Sequence, residues 1–456
     1  QQLSNCSREP LPMFFLLLAS LDVVALANVD LQVRLDAPTT PFPHNWEECV
    51  GSGHMALALR SDYRQQLKRC HDELGFKRVR MHGMMDDDMS TSLGQGVNSY
   101  MNLDSVIDFT DSIGMDVLFE IGFMPEWLAS KETYEFHYKG NTSPPKDYKL
   151  WAKVMQDLAQ HLLDRYGVEK VSNWFFEVWN EPTIGFWSGV PKQQTYFKLY
   201  ETTAKAFHGV STSFKTGGPV TNALQWFDDF LKYCNSTDTP VSFVSSHNYA
   251  GGGKGPIYDA DGLFARLAKA RQSLPADMPF IISEWGGTYS HHEPLDEPYY
   301  APFIISAVAQ NVFNADIFSF WAFSDLFEEH GFPTSAYDDH PNFGLLNPYG
   351  IPKPSYRAFQ LLHWAGSERL KVVQNSNDGP CSKTVSAVAL RNTTHFSVFV
   401  INTGPLPLNA TGWIDNVTDT VTDCNVTLGV PAQTAITTRI DTHHANPKAA
   451  WTAMGS

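Results

Sequence analysis

The sequence has few charged residues for its length, and those it has are mostly acidic. Charged residues make up 18% of the 456 positions, and 33 Lys and Arg against 49 Asp and Glu give a formal net charge of −16. An acidic chain of this kind is poorly suited to hold nucleic acid or an anionic membrane surface. We therefore expect neither a nucleic-acid nor a membrane partner.

Sequence motifs for several kinds of chemistry are also missing. The six cysteines contain no Cys-x-x-Cys pair, and their wide spacing argues against zinc or iron–sulfur ligation. There is no GxSxG, no P-loop and no GxGxxG, which removes support for acyl transfer, NTP hydrolysis and dinucleotide chemistry. Runs such as Asp86-Asp87-Asp88 cannot all face one ion without a special loop, so we expect no metal and no cofactor.

The even number of cysteines favours disulfides, and we predict one between Cys381 and Cys424, which share a small C-terminal region. Together with a high density of Asn-x-Ser/Thr sequons, this predicts a secreted, N-glycosylated protein, with a lysosomal or vacuolar lumen as the alternative. The sequons start at Asn5, Asn141, Asn235, Asn392, Asn409, Asn416 and Asn425.

An apolar stretch at residues 13–27 ends like a signal peptide, but it starts twelve residues into the chain and is broken by Asp22. It is too short to span a bilayer. We interpret it as a strand or helix of the folded protein; a misplaced gene start is the competing explanation.

From about Trp46, short apolar runs alternate with segments of helical periodicity. This order is typical of a parallel sheet, and eight repeats favour an α/β fold closed as a (β/α)8 TIM barrel. The predicted strands are near 49–53, 78–83, 116–123, 174–181, 214–220, 243–249, 280–284 and 317–323. The predicted helices include 61–74, 103–113, 147–166, 193–207, 261–273 and 299–313.

After Trp364 the pattern changes to Val- and Thr-rich alternation with turn residues, which is typical of antiparallel strands. We predict a small accessory antiparallel β-sandwich domain that the N-terminal segment helps to complete. The predicted divisions are residues 1–45, the barrel at 46–365, the sandwich at 366–442 and a loose tail at 443–456.

Two glutamates each end an apolar β-type run: Glu181 in WFFEVWNEP and Glu284 in PFIISEWGG. A barrel would bring the ends of both runs to one mouth. Retaining glycosidases need two carboxyls about 5–5.5 Å apart, one to protonate the leaving oxygen and one to attack the anomeric carbon. The pair therefore predicts glycoside chemistry.

Neighbouring polar side chains suit that chemistry. Arg80 and His82 share one face of the second strand, where Arg80 could keep a nucleophilic carboxylate ionised or could merely neutralise Glu177 inside the barrel. His247 and Tyr249 share a face at the end of the sixth strand. Taken singly, each is equally well explained as a core residue with its hydrogen bonds satisfied.

Six segments, in order, resemble glycoside hydrolase family 39, which contains β-xylosidases and α-L-iduronidases of the retaining (β/α)8 clan. They are VRMHGMMDDD, LFEIGFMPEWLAS, SPPKDYKLWAKVM, NWFFEVWNEPTIGFW, PFIISEWGGTYS and FSFWAFSDLFEEHGFP. The resemblance implies that Glu181 is the acid/base, Glu284 the nucleophile and Asn180 the ligand of the sugar 2-OH. It also implies a sugar subsite lined by His82, His247, Tyr249, Tyr289, Trp321, Phe186, Glu328 and Glu329.

The acidic pair Glu328 and Glu329 favours the β-xylosidase side of the family, because two carboxylates would repel a uronate. Two departures affect the choice of sugar: Lys254 in a Gly-rich loop, and Trp285-Gly286-Gly287 where the xylosidases have a Tyr-Asn-type stretch. We predict a retaining, exo-acting β-xylosidase-like enzyme with an oligosaccharide or glycoside substrate.

Alternatives remain open at this point. They are α-L-iduronidase-like, β-glucosidase or β-galactosidase activity, with internal cleavage as an option, and a non-catalytic carbohydrate-binding protein. The short C-terminal region, compared with that of tetrameric bacterial relatives, favours a monomer or dimer over a tetramer.

Overall fold

The computed structural model describes most of the chain. The described residues are 13–19, 29–251, 258–290, 293–329, 331–333, 335–337, 342–376, 384–404, 424–428 and 434–455. Contacts divide the chain into two units. The first contains Asn45–Leu295 and Gln310–Pro352, and the second contains the described parts of Gln1–His44, Asp296–Ala309 and Lys353–Ser456.

The strands are numbered here in chain order through both units. They are β1 (Met13–Ala19), β2 (Val29–Arg34), β3 (Thr40–Pro41), β4 (Val50–His54), β5 (Arg78–His82), β6 (Asp116–Ile121), β7 (Tyr134–Glu135), β8 (Gly140–Asn141), β9 (Phe175–Val178), β10 (Lys215–Thr221), β11 (Phe243–Tyr249), β12 (Phe280–Gly286), β13 (Ile317–Phe320), β14 (Glu368–Ser376), β15 (Val385–Arg391), β16 (His395–Asn402), β17 (Cys424–Leu428) and β18 (Ala435–Arg439).

The first unit is built on a closed barrel in which every neighbouring pair of strands is parallel. Its order around the barrel is β4, β5, β6, β9, β10, β11, β12 and β13. Each of these strands overlaps one of the eight apolar runs predicted from the sequence, so the predicted TIM barrel is confirmed. Its carboxyl ends meet at one mouth, as they must when all strands run the same way.

The helices are α1 (Ser61–Leu74), α2 (Met101–Ser112), α3 (Tyr148–Val171), α4 (Lys192–Val210), α5 (Phe227–Ser236), α6 (Ala260–Ser273), α7 (Tyr300–Asn311), α8 (Pro354–Trp364) and α9 (Pro447–Ala453). Short 3₁₀ helices occupy Met55–Leu59, Asp87–Met89, Glu126–Leu128 and Glu293–Asp296.

Helix α1 shows why these segments fold as they do. Tyr63, Leu67, Cys70 and Leu74 recur at helical spacing and are all buried. The helix ends where Gly75 takes a left-handed φ of 75°, a conformation that costs glycine little. The sequence pattern missed α5, which is only ten residues long and starts abruptly after Trp226, and α8.

The barrel interior changes from apolar to charged along its axis. One apolar layer consists of Cys49, Leu118, Phe243, Ile281 and Ile317, with Phe175 packed against it. Side chains of one strand alternate between its two faces. Arg80, Glu120 and Glu177 point into the barrel further along their strands, and all three are fully buried.

The second unit is built on a separate sheet of strands ordered β17, β2, β14, β15, β16, β1, β18, with β3 on β14. Strand β14 pairs antiparallel with β2 and β15, and β15 with β16. Strand β1 runs parallel to β16 and β18, and β17 parallel to β2. The alternating pattern of the sequence indicated strands but not these parallel pairings.

The structure bears on the expectations for the cysteines and for the C-terminal tail. Cys49, Cys70 and Cys234 are buried free thiols, so they take no part in disulfides. The predicted bond of Cys381 with Cys424 lies outside the described residues, because Cys381 is not among them. The tail expected to be loose forms α9, in which Asn446 caps the helix by accepting from the amide of Ala449.

The sequons differ in their accessibility. Asn235 and Asn392 are exposed. Asn141 is 2% exposed and its amide donates to Glu126 and to the carbonyl of Lys131, so its burial argues against a glycan at this residue. For the other predicted acceptors, Asn5, Asn409 and Asn416 lie outside the described residues, as does the side chain of Asn425.

Among the described residues, we find no helix that combines the length and the apolar character needed to cross a membrane.

One glycine of the barrel leads to a stability test. Gly217 of β10 lies opposite Phe243 of β11, and a Cβ at Gly217 would come within 2.4 Å of the buried Phe243 ring. Gly217→Ala should lower the free energy of unfolding by about 1–3 kcal/mol, because the packed ring has to move. Gly209→Ala, at an exposed position in α4 with open space around it, should raise it by about 1 kcal/mol. Denaturant unfolding measures the change in free energy for both variants. Equal changes in the two variants would contradict the close packing of Gly217 against Phe243.

Candidate active site

The two predicted glutamates meet at the mouth of the barrel. Glu181 follows the end of β9, and Glu284 lies in β12. Oxygens of the two carboxyls are within 4.8 Å of each other. Glu181 is 9% exposed and Glu284 is 5% exposed, and both line a cavity of about 780 Å³. The separation suits a pair that acts on one anomeric carbon.

The chain reaches this arrangement through a turn with unusual backbone angles. Trp179 has φ of 81° and Glu181 has φ of 40°, in a region that non-glycine residues seldom occupy. The amide of Glu181 donates to the carbonyl of Val220 at 3.0 Å, and the indole of Trp179 donates to the carbonyl of Phe186 at 2.7 Å. Such conformations persist where surrounding contacts fix them, and they are common at functional sites.

Most of the side chains expected to line the sugar subsite do line this cavity. They are Asn180, His82, Tyr249, Tyr289, Trp321, Phe186 and Glu329. The structure adds lining residues that the sequence did not single out, which are Glu135, Phe136, Ile184, Asn222, Ala223, Asn248, Ser290 and Phe343. Most of these lie in loops after the strands, where apolar periodicity gives no signal.

Arg80 is the cation at the centre of the site, and it is fully buried. Its Nε donates to Glu177 at 2.6 Å and its Nη1 to Glu284 at 2.7 Å. Its Nη2 donates to Asn180 at 3.0 Å and lies 2.8 Å from Glu120. The sequence suggested that Arg80 either pairs with Glu177 or holds the nucleophile. In the structure it does both, because it contacts Glu177 and Glu284 at the same time.

Glu120 was missed in the sequence, although it is central to the site. It lies opposite Glu177 in the register of β6 and β9. Burial raises the pKa of Glu120 to about 8 in spite of the nearby Arg80. Burial is the largest single effect on Glu177 as well, but Arg80, His247 and the hydroxyls of Ser245 and Ser283 together outweigh it and lower the pKa of Glu177. The spacing of Glu120 in LFEIG, two residues from the inward-facing Leu118, is the signal that could have revealed it.

Two other groups lie close to Glu284 besides Arg80. The Tyr249 hydroxyl donates to Glu284 at 2.7 Å, and Nδ1 of His247 is 3.4 Å from the same oxygen. These contacts hold the carboxylate in place at the cavity wall.

Glu181 has a different environment. Its nearest partner is Nδ1 of His247, at 2.8 Å. Burial raises the pKa of Glu181 to about 7, with a smaller opposing effect from Arg80. Glu181 therefore holds its proton in mildly acidic solution, as the acid of a glycosidase must.

His82 connects the buried charges to the cavity. Its Nδ1 lies 2.5 Å from Glu120, and its Nε2 is 3.4 Å from Glu329 and 3.8 Å from Glu284. Burial, and then Arg80, lower the pKa of His82 to about 3, so its ring is neutral. Burial and the surrounding carboxylates raise the pKa of Glu329 well above its usual value.

Two predicted lining residues have other positions. His247 is fully buried behind the carboxyls of Glu181 and Glu284 and does not line the cavity. Glu328 turns away from the cavity and contacts Nδ1 of His54 at 2.8 Å. Tyr249, two positions after His247, faces the cavity instead of His247. Glu329, the residue after Glu328, faces it instead of Glu328. Lys254 lies outside the described residues.

The contacts of Arg80 lead to a test of stability. Arg80→Met leaves three carboxyls without their cation, and removing one partner of a buried ion pair costs about 3–5 kcal/mol. Lys68→Met, which breaks an exposed pair with Asp72 at 2.6 Å, should change stability by less than about 0.5 kcal/mol. Chemical denaturation of both variants measures the difference, and a similar small loss in both would contradict the role given to Arg80.

Comparison with known proteins places this site in a family. The model of glycosyl hydrolases family 39 matches residues 29–456. The chain is 38% identical over 432 residues to a β-xylosidase of Caldicellulosiruptor saccharolyticus, covering 90% of this chain and 85% of that protein. It is 35% identical over 357 residues to a β-xylosidase of Geobacillus stearothermophilus, covering 72% and 70%. A solved family 39 β-xylosidase from Caulobacter crescentus superposes with a TM-score of 0.69 at 31% identity, covering 80% of this chain and 79% of that one. The chain belongs to glycosyl hydrolases family 39.

Proposed function

We propose that this glycoside hydrolase is a retaining, exo-acting β-xylosidase. The observation that carries the proposal is the pair of carboxyls of Glu181 and Glu284, within 4.8 Å of each other at one cavity and in different environments. Two relatives at 38% and 35% identity are named β-xylosidases. Family membership and site geometry thus support the same reaction.

The reaction proceeds by double displacement. Glu181, protonated in the free enzyme, gives its proton to the glycosidic oxygen while Glu284 attacks the anomeric carbon; the bond to the leaving group breaks as the glycosyl ester forms. Glu181 is then ionised and takes a proton from water, whose oxygen attacks the same carbon. This attack releases Glu284 as a carboxylate and restores the proton of Glu181.

The surrounding residues have separate tasks in this mechanism. Arg80 and Tyr249 hold the attacking carboxylate through hydrogen bonds of 2.7 Å each. Asn180, whose carbonyl oxygen accepts from Arg80, keeps its amide hydrogens for the sugar 2-OH. His82, Tyr289, Trp321, Phe186 and Glu329 bound the sugar.

The lining of the cavity favours a neutral sugar. Among the described residues, no Lys or Arg lines the cavity to bind a sugar carboxylate. The ionised nucleophile of the proposed mechanism would also repel a uronate. Xylosides therefore fit better than iduronides.

A panel of aryl glycosides tests the sugar. Hydrolysis of β-xyloside at a kcat/KM at least tenfold above that of β-glucoside, β-galactoside and α-L-iduronide would support the proposal. Faster hydrolysis of iduronide would assign the other branch of the family. Analysis of early products from xylohexaose tests exo action, which predicts xylose and xylopentaose first, whereas internal cleavage would give xylobiose, xylotriose and xylotetraose from the start.

Loss of the proton of Glu181 should cause the fall in kcat/KM on the alkaline side of its pH profile. Because Glu181 must be protonated in the free enzyme and its pKa is about 7, kcat/KM should fall as the pH rises through this value. In Glu181→Gln, hydrolysis of a substrate with a good leaving group should no longer show this fall. A wild-type profile that stays flat from about pH 4 to about pH 9 would contradict the assignment.

Loss of the nucleophile separates an enzyme from a carbohydrate-binding protein. Glu284→Gln should reduce kcat by several orders of magnitude, while circular dichroism and the unfolding midpoint show a folded chain. If Glu284→Gln hydrolyses the β-xyloside as fast as the wild type, Glu284 is not the nucleophile.

We also propose that the protein is secreted and N-glycosylated, because Asn235 and Asn392 are sequon asparagines at exposed positions. Expression in a eukaryotic secretory host should give a chain whose mass falls on treatment with peptide N-glycosidase. Asn235→Gln and Asn392→Gln should each remove one glycan, whereas Asn141→Gln should remove none. A mass that equals the bare chain in the secreted wild type would contradict the proposal.

A further inference from the structure

A second group of charged side chains in the barrel unit surrounds His54, the last residue of β4. His54 is fully buried. Its Nδ1 is 2.8 Å from Oε1 of Glu328, and its Nε2 is 3.4 Å from Oδ2 of Asp86 and 3.3 Å from Oδ1 of Asp88. Three carboxyls thus meet at the two nitrogens of one ring.

This geometry distinguishes between the two forms of the ring. A neutral imidazole has one N–H donor, whereas the imidazolium has a donor on each nitrogen. Because carboxylate oxygens face both nitrogens of His54, only the imidazolium can donate on both sides. It also supplies the positive charge that three adjacent carboxyls require.

Two further features agree with a cation at this place. The ring of Tyr138 stacks on the imidazole with centroids 3.8 Å apart and planes 6° apart, which is a favourable position for a cation over an aromatic face. Burial by itself would lower the pKa of His54, but the nearby carboxyls of Asp86, Asp88 and Glu328 together outweigh it and raise that pKa well above its usual value. Glu329 and His82 also interact with His54 electrostatically.

We propose that His54, as an imidazolium, is a positioning residue that fixes the loop of Glu328 and Glu329 and thereby places Glu329 at the sugar. Glu328 and Glu329 are adjacent, so the contact of Glu328 with His54 restricts where the next side chain can lie. On its other side, Glu329 accepts at its carbonyl from the amide of His137 at 3.0 Å, and its carboxyl lies 3.4 Å from His82. The inference rests on the proposed function in so far as Glu329 contacts the sugar.

The test compares a permanent cation with a neutral side chain. His54→Gln should raise KM for an aryl β-xyloside about tenfold, which is the size expected for one charge-assisted hydrogen bond, with little change in kcat. His54→Arg should retain a KM close to that of the wild type, because it restores the charge. A purely steric role would make the larger arginine at least as harmful as glutamine.

A matched control exists on the outside of the barrel. His161 of α3 contacts Asp104 at 2.7 Å and stacks on Tyr100 with centroids 4.0 Å apart, so it repeats the carboxylate and tyrosine contacts away from the cavity. His161→Gln should leave KM unchanged.

The pH dependence of the unfolding midpoint tests the charge of His54 without any substrate. A histidine whose pKa is higher in the folded state contributes stability that is complete below its unfolded pKa and disappears as the pH rises through its folded pKa. The unfolding midpoint of the wild type should therefore exceed that of His54→Gln at about pH 6, with the gap closing towards about pH 10. His54→Arg should keep the advantage over His54→Gln at both pH values. This result stands even if the sugar proves to be other than xylose.

Three results would overturn the inference. The first is a His54→Gln variant with the KM and unfolding midpoint of the wild type. The second is a His54→Arg variant as impaired as His54→Gln. The third is a stoichiometric divalent metal in the purified wild type that both variants lose, which would make the cation a metal and His54 its ligand. If His54→Gln does not fold, Glu328→Gln replaces it; the inference then requires a raised KM, and an unchanged KM refutes it.

Discussion

The site depends on a single buried guanidinium. Arg80 contacts Glu177, Glu284, Glu120 and Asn180, which come from three other strands or their ends, with separations of 2.6–3.0 Å. Burying several carboxyls would be prohibitive without a cation among them. Because the geometry of a guanidinium is planar and fixed, the same group that compensates the charges also determines where the nucleophile and the 2-OH ligand lie.

The two catalytic glutamates have different roles because nearby cations and hydrogen-bond donors stabilise their negative charges to different extents. Glu284 lies against Arg80 and accepts from Tyr249 as well. Glu181 instead contacts His247, whose pKa is lowered by burial, and Glu181 is itself buried enough that its pKa rises to about 7. His247 bridges the two, 2.8 Å from Glu181 and 3.4 Å from Glu284. Two like side chains thus have different surroundings, which is the general means by which one site combines an acid and a nucleophile.

The parts that could be predicted from the sequence are those with a regular spacing. The apolar runs and helical periodicity predicted the eight barrel strands, and the glutamates that end two of these runs indicated the chemistry. Glu120 and His54 were not singled out, because their roles arise from partners distant in the sequence, Glu177 and Glu328, that local patterns do not bring together. The position of His247 behind the two carboxyls and the burial of Asn141 likewise depend on contacts with other segments of the chain, with Glu181 and Glu284 in the first case and with Glu126 in the second.

In the proposed reaction, Glu284 forms a covalent bond to the sugar with help from Glu181. The most direct test is to incubate the enzyme with a 2-deoxy-2-fluoro-β-xyloside carrying a dinitrophenyl leaving group, a substrate that slows breakdown of the intermediate, and to map the labelled peptide by mass spectrometry. We expect one fluoroxylosyl group per chain, attached to Glu284. Complete turnover without a labelled protein, or a label on any other residue, would contradict it.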